Sequence, residues 1–162
     1  MMRVSVRRAA LEDAEVAIAL VRESIVKLCV ADHEGDPLTL EPWLRNKTAD
    51  DFARWIANVE NHVVVAELDA VVGGAAALHR SGEIRLCYVA AGSQGLGIGT
   101  ALLVALEIQA RAWGVGKLFL NSTTGARSFY ERNGYTQSGP PAPGFGRSLC
   151  FPYEKPIPPL PR

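Results

Sequence analysis

A balanced charge and an ordinary apolar content exclude several classes of protein for this chain. Its 162 residues carry 17 Lys and Arg against 17 Asp and Glu, so no net positive charge attracts nucleic acid or an anionic membrane. Hydrophobic residues make up 48% and charged residues 21%, which is typical of a globular domain rather than of a disordered chain. We therefore expect one domain that binds a small or peptidic ligand, without a nucleic acid or membrane partner.

The cysteines and the apolar runs predict where the protein resides. Cys29, Cys87 and Cys150 are odd in number and far apart, which is unlike a disulfide framework or a zinc site. The longest apolar run, residues 70–78, is much shorter than a membrane span, and the first ten residues lack the apolar centre of a leader. We expect a cytoplasmic protein that has reduced cysteines and no metal site.

A strand followed by helices is predicted for the first 60 residues. Apolar and polar residues alternate at first, as in an edge strand, and apolar residues then recur at helical spacing after a cap at Asp13. Gly35 and Pro37 end this helical pattern, so a polar loop is expected there. In chain order the predictions are a strand over 3–7, a helix over 13–30, a polar loop over 31–37, a helical turn over 38–44 and a helix from the Thr48 cap to Val59.

A meander of three strands is predicted next, because short runs rich in β-branched residues are separated by turn residues. Alternation along the third strand determines which side chains share a face. The strands are predicted over 62–67, 71–79 and 83–89, with Ile84, Leu86 and Tyr88 on one face of the third strand and Glu83, Arg85, Cys87 and Val89 on the other.

A glycine-rich turn leads from the third strand into an amphipathic helix. Gly95, Gly97 and Gly99 leave backbone N–H groups without side-chain cover, and the helix that follows points its positive end at them. The turn therefore predicts an anion site, with a turn that binds nothing as the alternative. Thr100 stands where a dinucleotide-binding turn has its third glycine, and the lysine of a P-loop is missing between residues 47 and 117.

The last third of the chain is predicted to return to the sheet. Four prolines near the end predict a loosely packed or disordered tail, so the expected division is one domain over 1–155 and a tail over 156–162. The predicted elements are a helix with Ile98, Leu102, Leu106, Ala110 and Trp113 on one side, a strand over 117–121, a helix over 126–132, and a strand pair over 135–138 and 147–154.

Two motifs together resemble the GNAT family of N-acetyltransferases. The first motif, Gln94-x-x-Gly97-x-Gly99, resembles that family's coenzyme A pyrophosphate loop. The second motif follows about thirty residues later. It is the run Phe-Tyr-Glu-Arg-Asn-Gly-Tyr, which begins at Phe129 and resembles the family's late motif. The order of predicted elements is similar across nearly the whole chain. The resemblance implies an α/β fold with a central mixed, mostly antiparallel sheet flanked by helices, in which two parallel strands splay apart at Val89 and Asn121.

The resemblance implies acetyl-coenzyme A as the cofactor. Splayed strands leave backbone groups unpaired, and the amide-bearing pantetheine arm can pair with them. Position 96, often Lys or Arg in the family, is Leu96 here, so the loop lacks a side-chain cation for the phosphates. The resemblance assigns the cofactor to Val89, Gln94, Gly95, Leu96, Gly97, Ile98, Gly99, Thr100, Asn121, Ser128 and Tyr130.

The implied reaction is direct attack of a primary amine of a small molecule or peptide on the thioester. Tyr130 is the predicted general acid, because a phenol with a pKa of ~10 keeps its proton at neutral pH, and a core aromatic is the alternative. Glu83 is the predicted base because it resembles the strand glutamate of histone-acetylating members, with a plain salt bridge to Arg85 as an equal alternative. His79 and His33 are secondary candidates.

The acceptor amine is expected between the helical insertion and the final strand pair. Asp32, Glu34 and Asp36 would favour a cationic amine there, and a solvated loop explains them equally well. Cys87 suggests a covalent acyl intermediate, but a small buried cysteine is the favoured interpretation. The predicted acceptor contacts are Ser24, Leu28, Cys29, His33 and Trp43.

Other functions stay open at this level. A coenzyme A-binding sensor or regulatory module without turnover is the main alternative to an enzyme. Acetylation of aminoacyl-tRNA is a weaker alternative, because the neutral chain has little attraction for RNA. A homodimer is suggested only because members of the family often form one, and no residue of this sequence indicates it.

Overall fold

Helices and strands follow one another through the part of the chain, residues 3–161, that the computed structural model describes. Short 3₁₀ turns over Leu11–Asp13 and Ala91–Ser93 precede two of the helices. The elements are β1 (Val4–Arg8), α1 (Ala14–Leu28), α2 (Val30–His33), α3 (Pro37–Leu44), α4 (Ala49–Ala57), β2 (Asn61–Leu68), β3 (Val71–His79), β4 (Ile84–Val89), α5 (Ile98–Trp113), β5 (Lys117–Ser122), α6 (Arg127–Arg132), β6 (Thr136–Gln137), β7 (Ala142–Pro143) and β8 (Leu149–Pro156).

The strands form two sheets that meet at one point. Strands β1, β2, β3 and β4 make an antiparallel sheet in that order, while β5, β8 and β6 make a second one, with β7 paired to β8. In the described residues one parallel bridge, Glu83 to Phe119, joins the two sheets, and Phe119 N–H donates to Gly82 C=O at 3.0 Å. Beyond this bridge β4 and β5 run in the same direction without pairing, so the mixed sheet with splayed parallel strands is confirmed.

Two apolar layers cover the two faces of the first sheet. The predicted face of α5 is buried, with Ile98, Leu102, Leu106 and Ala110 each at most 1% exposed, and it also packs against the second sheet. On the opposite face α1 and α4 bury a separate cluster centred on Val21, Ile25 and Phe52. Because α5 starts at the glycine turn, its burial fixes the position of that turn over the gap between β4 and β5.

A β-bulge in β4 changes one predicted face. Leu78 of β3 pairs with Ile84, whereas the preceding Ala77 pairs with Leu86, so Arg85 is an extra residue in the ladder. Ile84 consequently lies in the α5 layer, while Leu86 and Tyr88 lie in the α1 layer. The predicted common face of Ile84, Leu86 and Tyr88 is therefore wrong at Ile84.

Helix ends also differ from the sequence patterns in two places. The expected polar loop over 31–37 begins inside the short helix α2, and its Asp32 and His33 are buried rather than solvated. Helix α4 begins at the predicted Thr48 cap, where the Thr48 hydroxyl accepts the Asp51 N–H, but it ends at Ala57 and leaves Val59 77% exposed. Helical spacing alone does not continue α4 to Val59, because the exposed Val59 side chain adds no packing to stabilise another turn.

The end of the chain is partly fixed to the domain. Strand β8 continues to Pro156, and Ile157 is buried in the α5 layer with its N–H donated to Gly116 C=O at 2.8 Å. Pro158, Pro159, Leu160 and Pro161 are exposed. The predicted tail over 156–162 thus contains one residue, Ile157, that is packed into the domain, and its boundary stays a prediction.

Candidate functional site

A cavity of about 490 Å³ opens where β4 and β5 separate. Its walls come from the whole of β4, the C-terminal half of β5, the end of α1, the glycine-rich turn, the loop after β5 and α6. Ten of the eleven residues predicted to bind the cofactor line it, and the eleventh, Leu96, is 39% exposed in the same turn. The ten are Val89, Gln94, Gly95, Gly97, Ile98, Gly99, Thr100, Asn121, Ser128 and Tyr130.

The glycine turn provides a cradle of backbone donors. Gly95 and Gly97 have φ values of +77° and +84°, which an L side chain adopts only at a cost, and a Cβ on either would meet no atom within 4 Å. Within residues 3–161 the N–H groups of residues 97–100 donate to no carbonyl or side chain. Since α5 is 16 residues long, its positive end and these free N–H groups fit a phosphate group.

Gly99 brings α6 against the start of α5. A Cβ at this position would lie 2.8 Å from two ring atoms of Phe129, so only glycine allows the ring to lie so close. Phe129 in turn packs against Tyr130, with ring centroids 5.1 Å apart in an edge-to-face arrangement. The glycine turn and the late motif, which were separate in the sequence, therefore form one wall of the cavity.

Tyr130 lies on that wall and is otherwise enclosed by aromatic rings. It is 7% exposed, and the rings of Tyr135 and Tyr153 lie 5.8 and 6.4 Å from its own. Burial is the main cause that raises the pKa of Tyr130 well above its usual value, with the neighbouring Cys87 adding to the effect. The phenol consequently keeps its proton at neutral pH and is oriented by packing, as a proton donor requires.

The two cysteines that line the cavity are poor nucleophiles. Burial raises the pKa of Cys87 to about 12, and burial followed by the charge of Asp32 raises the pKa of Cys29 to about 12. A nucleophilic cysteine attacks as the thiolate, and these thiols stay protonated at neutral pH. The geometry therefore favours the interpretation of Cys87 as a small buried residue.

Glu83, the predicted base, is not among the residues that line the cavity, although Ile84 and Arg85 beside it are. Its carboxylate accepts Arg85 Nε–H at 2.8 Å, and both side chains are partly exposed. In the described residues no carboxylate or imidazole lines the cavity. His79 is also outside it, where its Nδ1 accepts the Ser81 N–H.

The predicted acceptor residues divide into two groups. Ser24, Leu28 and Cys29 of the α1 end line the cavity, whereas His33 and Trp43 do not. His33 Nδ1 accepts the Gly35 N–H at 2.9 Å, and its Nε2 lies 3.1 Å from the carbonyl oxygens of residues 25 and 26, which assigns the proton to Nε2. Nε2 thus holds α2 against α1, and Nδ1 fixes the turn that follows α2.

Trp43 acts on the cavity indirectly through Tyr88. The Trp43 indole Nε1–H donates to the Tyr88 hydroxyl at 3.3 Å, and Tyr88 lines the cavity. On its other side Trp43 stacks on Phe145 of the loop between β7 and β8, with centroids 5.9 Å apart. Sequence reasoning placed Tyr88 on a buried face and gave no sign that it lines the cavity.

The acidic residues near α2 stabilise loops rather than face the cavity. Asp32 accepts the N–H groups of Thr124 and Gly125 at 2.6 and 3.5 Å, which ties α2 to the loop after β5. Asp36 caps α3 by accepting the Leu38 N–H at 3.1 Å. Neither carboxylate lines the cavity, so neither supports the predicted preference for a cationic amine.

Arg132 is a cavity residue that sequence reasoning missed. It lies at the end of α6, is exposed, and forms no ion pair or side-chain hydrogen bond within residues 3–161. Together with Thr100 and the glycine turn it lines the same cavity, so it can supply the cation that Leu96 does not. Its presence in the quoted Phe-Tyr-Glu-Arg motif was the available signal.

Comparisons with known proteins agree with this architecture. A family model described as the acetyltransferase (GNAT) domain matches residues 29–154. The chain is similar to a GCN5-related N-acetyltransferase from Rhodopseudomonas palustris, with 25% identity, a TM-score of 0.85, and 97% of this chain and 98% of the other covered. It therefore belongs to the GNAT acetyltransferase family.

More distant structures show the same fold. PaiA N-acetyltransferase from Thermoplasma acidophilum, solved in complex with coenzyme A, has 21% identity and a TM-score of 0.78 over 95% of this chain and 99% of the other. The ribosomal-protein-S18-alanine N-acetyltransferase from Escherichia coli has 15% identity and a TM-score of 0.66 over 96% and 94%. Among curated protein sequences there is no significant match.

Two kinds of feature are absent from the described part of the chain. None of its helices combines the length and the apolar character needed to cross a membrane. No cluster of three or more His, Cys, Asp or Glu side chains there is placed to hold a metal ion.

Proposed function

We propose that the protein transfers an acetyl group from acetyl-coenzyme A to the primary amine of a small molecule or peptide. The observation that carries the proposal is that the unpaired edge of β4, the free N–H groups of residues 97–100 and the Tyr130 hydroxyl all border one cavity. In this arrangement the unpaired backbone near Val89 holds the pantetheine amides, and the glycine turn with Thr100 holds the pyrophosphate. Asn121 and Ser128 flank the arm.

The reaction forms one C–N bond and breaks one C–S bond. The neutral amine nitrogen attacks the thioester carbonyl carbon, and the departing sulfur takes the proton of the Tyr130 hydroxyl. The attacking nitrogen loses a proton in turn. Because no carboxylate or imidazole lines the cavity in the described residues, this proton passes to water, and Glu83 can receive it only through an intervening water. Tyr130 then regains a proton from water, which restores the acid for the next turnover.

Two measurements test the function. Calorimetry with acetyl-coenzyme A should give a 1:1 complex, and absence of binding at high micromolar concentration would exclude both an enzyme and a sensor. A panel of amines is then screened for release of the coenzyme A thiol. Binding without release for any amine would favour the alternative, a coenzyme A-binding sensor. It is the second candidate because no carboxylate or imidazole of the described residues lines the cavity to act as the base.

Arg132→Gln should weaken the binding of acetyl-coenzyme A by about tenfold, because one charge-assisted hydrogen bond is worth roughly 1.5–3 kcal/mol and this side chain is exposed. Calorimetry at low and high salt measures the effect, which should shrink as salt rises. Arg147→Gln is the matched control, since Arg147 is exposed but lies outside the cavity. Equal affinities for Arg132→Gln and the wild type would remove Arg132 from the site.

Glu83→Gln should lower kcat/KM by less than about threefold, because the carboxylate lies off the cavity wall and is paired with Arg85. A direct general base would contribute roughly 100-fold or more. Initial rates of thiol release over a range of pH values measure the effect. Glu60→Gln is the control, since Glu60 forms a comparable exposed ion pair with Arg80, and a large loss confined to Glu83→Gln would make Glu83 the base.

A further inference from the structure

A second cavity of about 230 Å³ adjoins the first on the face of the sheet that α1 and α4 cover. It is enclosed by the linker between α3 and α4, by Trp55 of α4, and by the strands β2, β3 and β4. Arg85 and Leu86 line both cavities, so the bulge of β4 forms part of the wall of each. A single water needs only ~10–15 Å³ of such space, so this cavity has room for a functional group of a ligand.

Two cations with unused donors line this second cavity. Lys47 is 8% exposed, donates from Nζ to Trp43 C=O at 3.2 Å and to Asn46 Oδ1 at 2.6 Å, and forms no ion pair in the described residues. Arg85 gives its Nε–H to Glu83, while its two terminal nitrogens donate to no group in residues 3–161. The ammonium group of Lys has three N–H donors and the guanidinium group of Arg is planar, and both groups bind carboxylates.

The surroundings leave this positive charge only partly balanced. Arg22 adds a third cation, because its Nη1 donates to the carbonyls of Leu44 and Lys47 at 2.8 and 3.0 Å. The nearest carboxylate of α4, Asp51, is already bound by the Thr48 hydroxyl and by Arg54. Burial is the main cause that lowers the pKa of Lys47. An anion bound beside the Lys47 ammonium group would raise this pKa again.

An unsatisfied acceptor lies on the same wall. Asn61 is 6% exposed and lines the cavity, and its Nδ2 donates to Trp55 C=O at 3.3 Å. Its Oδ1 is buried and receives no hydrogen bond from any group in residues 3–161. Buried side-chain oxygens usually accept a hydrogen bond, so an N–H or O–H group of a ligand would satisfy this oxygen.

We propose that the second cavity binds the carboxylate end of the acceptor, between Lys47 and Arg85, while the acceptor's amine reaches the main cavity. The substrate class is then a small amino carboxylic acid, and an N–H or O–H group beside its carboxylate pairs with Asn61. This inference rests on the proposed acetyltransferase function. It replaces the cationic acceptor that the acidic residues around Asp32 suggested.

The test compares amino acids with their own amides. Wild-type thiol release is measured with β-alanine, 4-aminobutyrate, 5-aminopentanoate and 6-aminohexanoate, each beside its primary amide. We expect at least one acid to exceed its amide in kcat/KM by about tenfold, and this ratio to fall to about one in Lys47→Met. Arg45→Met, which removes an exposed cation two residues away, should leave the ratio unchanged. Equal rates for every acid and amide, or a preference that survives Lys47→Met, overturn the proposal.

A binding experiment separates this inference from the proposed function. Glutarate, which has two carboxylates and no amine, should bind the wild type and Arg45→Met in calorimetry and bind Lys47→Met about tenfold more weakly. Lys47→Gln, which retains a polar side chain at this buried position, is the second variant and should give the same loss. If this pattern appears while no amine releases thiol, the acetyl transfer fails and the carboxylate site stands. Absence of glutarate binding to the wild type overturns the carboxylate site.

Discussion

Replacing Tyr130 by Phe is expected to lower kcat for acetyl transfer by roughly 100-fold or more while the Kd of acetyl-coenzyme A changes by less than about threefold. The reason is that Phe keeps the ring between Phe129, Tyr135 and Tyr153 but removes the hydroxyl of the cavity residue that is the proposed proton donor. Steady-state thiol release and calorimetry on the same preparation measure the two quantities.

Tyr135→Phe is the matched control for this experiment. Tyr135 is equally buried, but its hydroxyl donates to Glu107 at 3.1 Å and it does not line the cavity. We expect this variant to lose about 1 kcal/mol of stability through the missing hydrogen bond and to retain its kcat. Transfer and cofactor binding that both survive unchanged in Tyr130→Phe would show that Tyr130 is not the acid.

Gly97→Ala should weaken the binding of acetyl-coenzyme A by about 10- to 100-fold, the loss of one or more charge-assisted hydrogen bonds to the phosphates. A Cβ on Gly97 would meet no protein atom within 4 Å and would stand beside the free N–H groups of the α5 start. The methyl group would therefore occupy space that the anion needs. Calorimetry measures the affinity, and thermal unfolding measures the accompanying cost in stability.

Gly114→Ala separates the strain from the binding effect. Gly114 ends α5 with φ +74°, a Cβ there would also meet no atom within 4 Å, and the residue lies far from the cavity lining. Both alanine variants should lose about 1–2 kcal/mol of stability, since both place a Cβ in the left-handed region. A comparable affinity loss in both variants would mean that the turn contributes through its stability alone, and that the cradle is not the phosphate site.

Much of the fold could be predicted because its signals are local. Helical spacing located the buried face of α5, and the Thr48 cap located the start of α4. These helix signals depend on residues within one or two turns of each other, which a sequence shows directly. The splayed strands that the structure has were implied by the family resemblance that the glycine turn and the Phe-Tyr-Glu-Arg run carry.

The features of the fold and the site that the sequence did not predict depend on contacts between residues that are far apart in the chain. The bulge at Arg85 follows from how β3 meets β4, and it moved Ile84 to the other face and took Glu83 off the cavity wall. The burial of Asp32 depends on the Thr124 N–H, 92 residues further along the chain. Alternation and charge patterns do not encode such contacts.

Within residues 3–161 a single bridge, between Glu83 and Phe119, joins the two sheets, so backbone hydrogen bonds between them are few. A molecule that pairs with the open edges of β4 and β5 would supply backbone hydrogen bonds that the polypeptide itself does not make across the gap. If acetyl-coenzyme A is that molecule, at ~100 times its Kd it adds about 2.7 kcal/mol to the free energy of unfolding. The lifetime of the folded chain in a cell would then follow the metabolic supply of its own substrate.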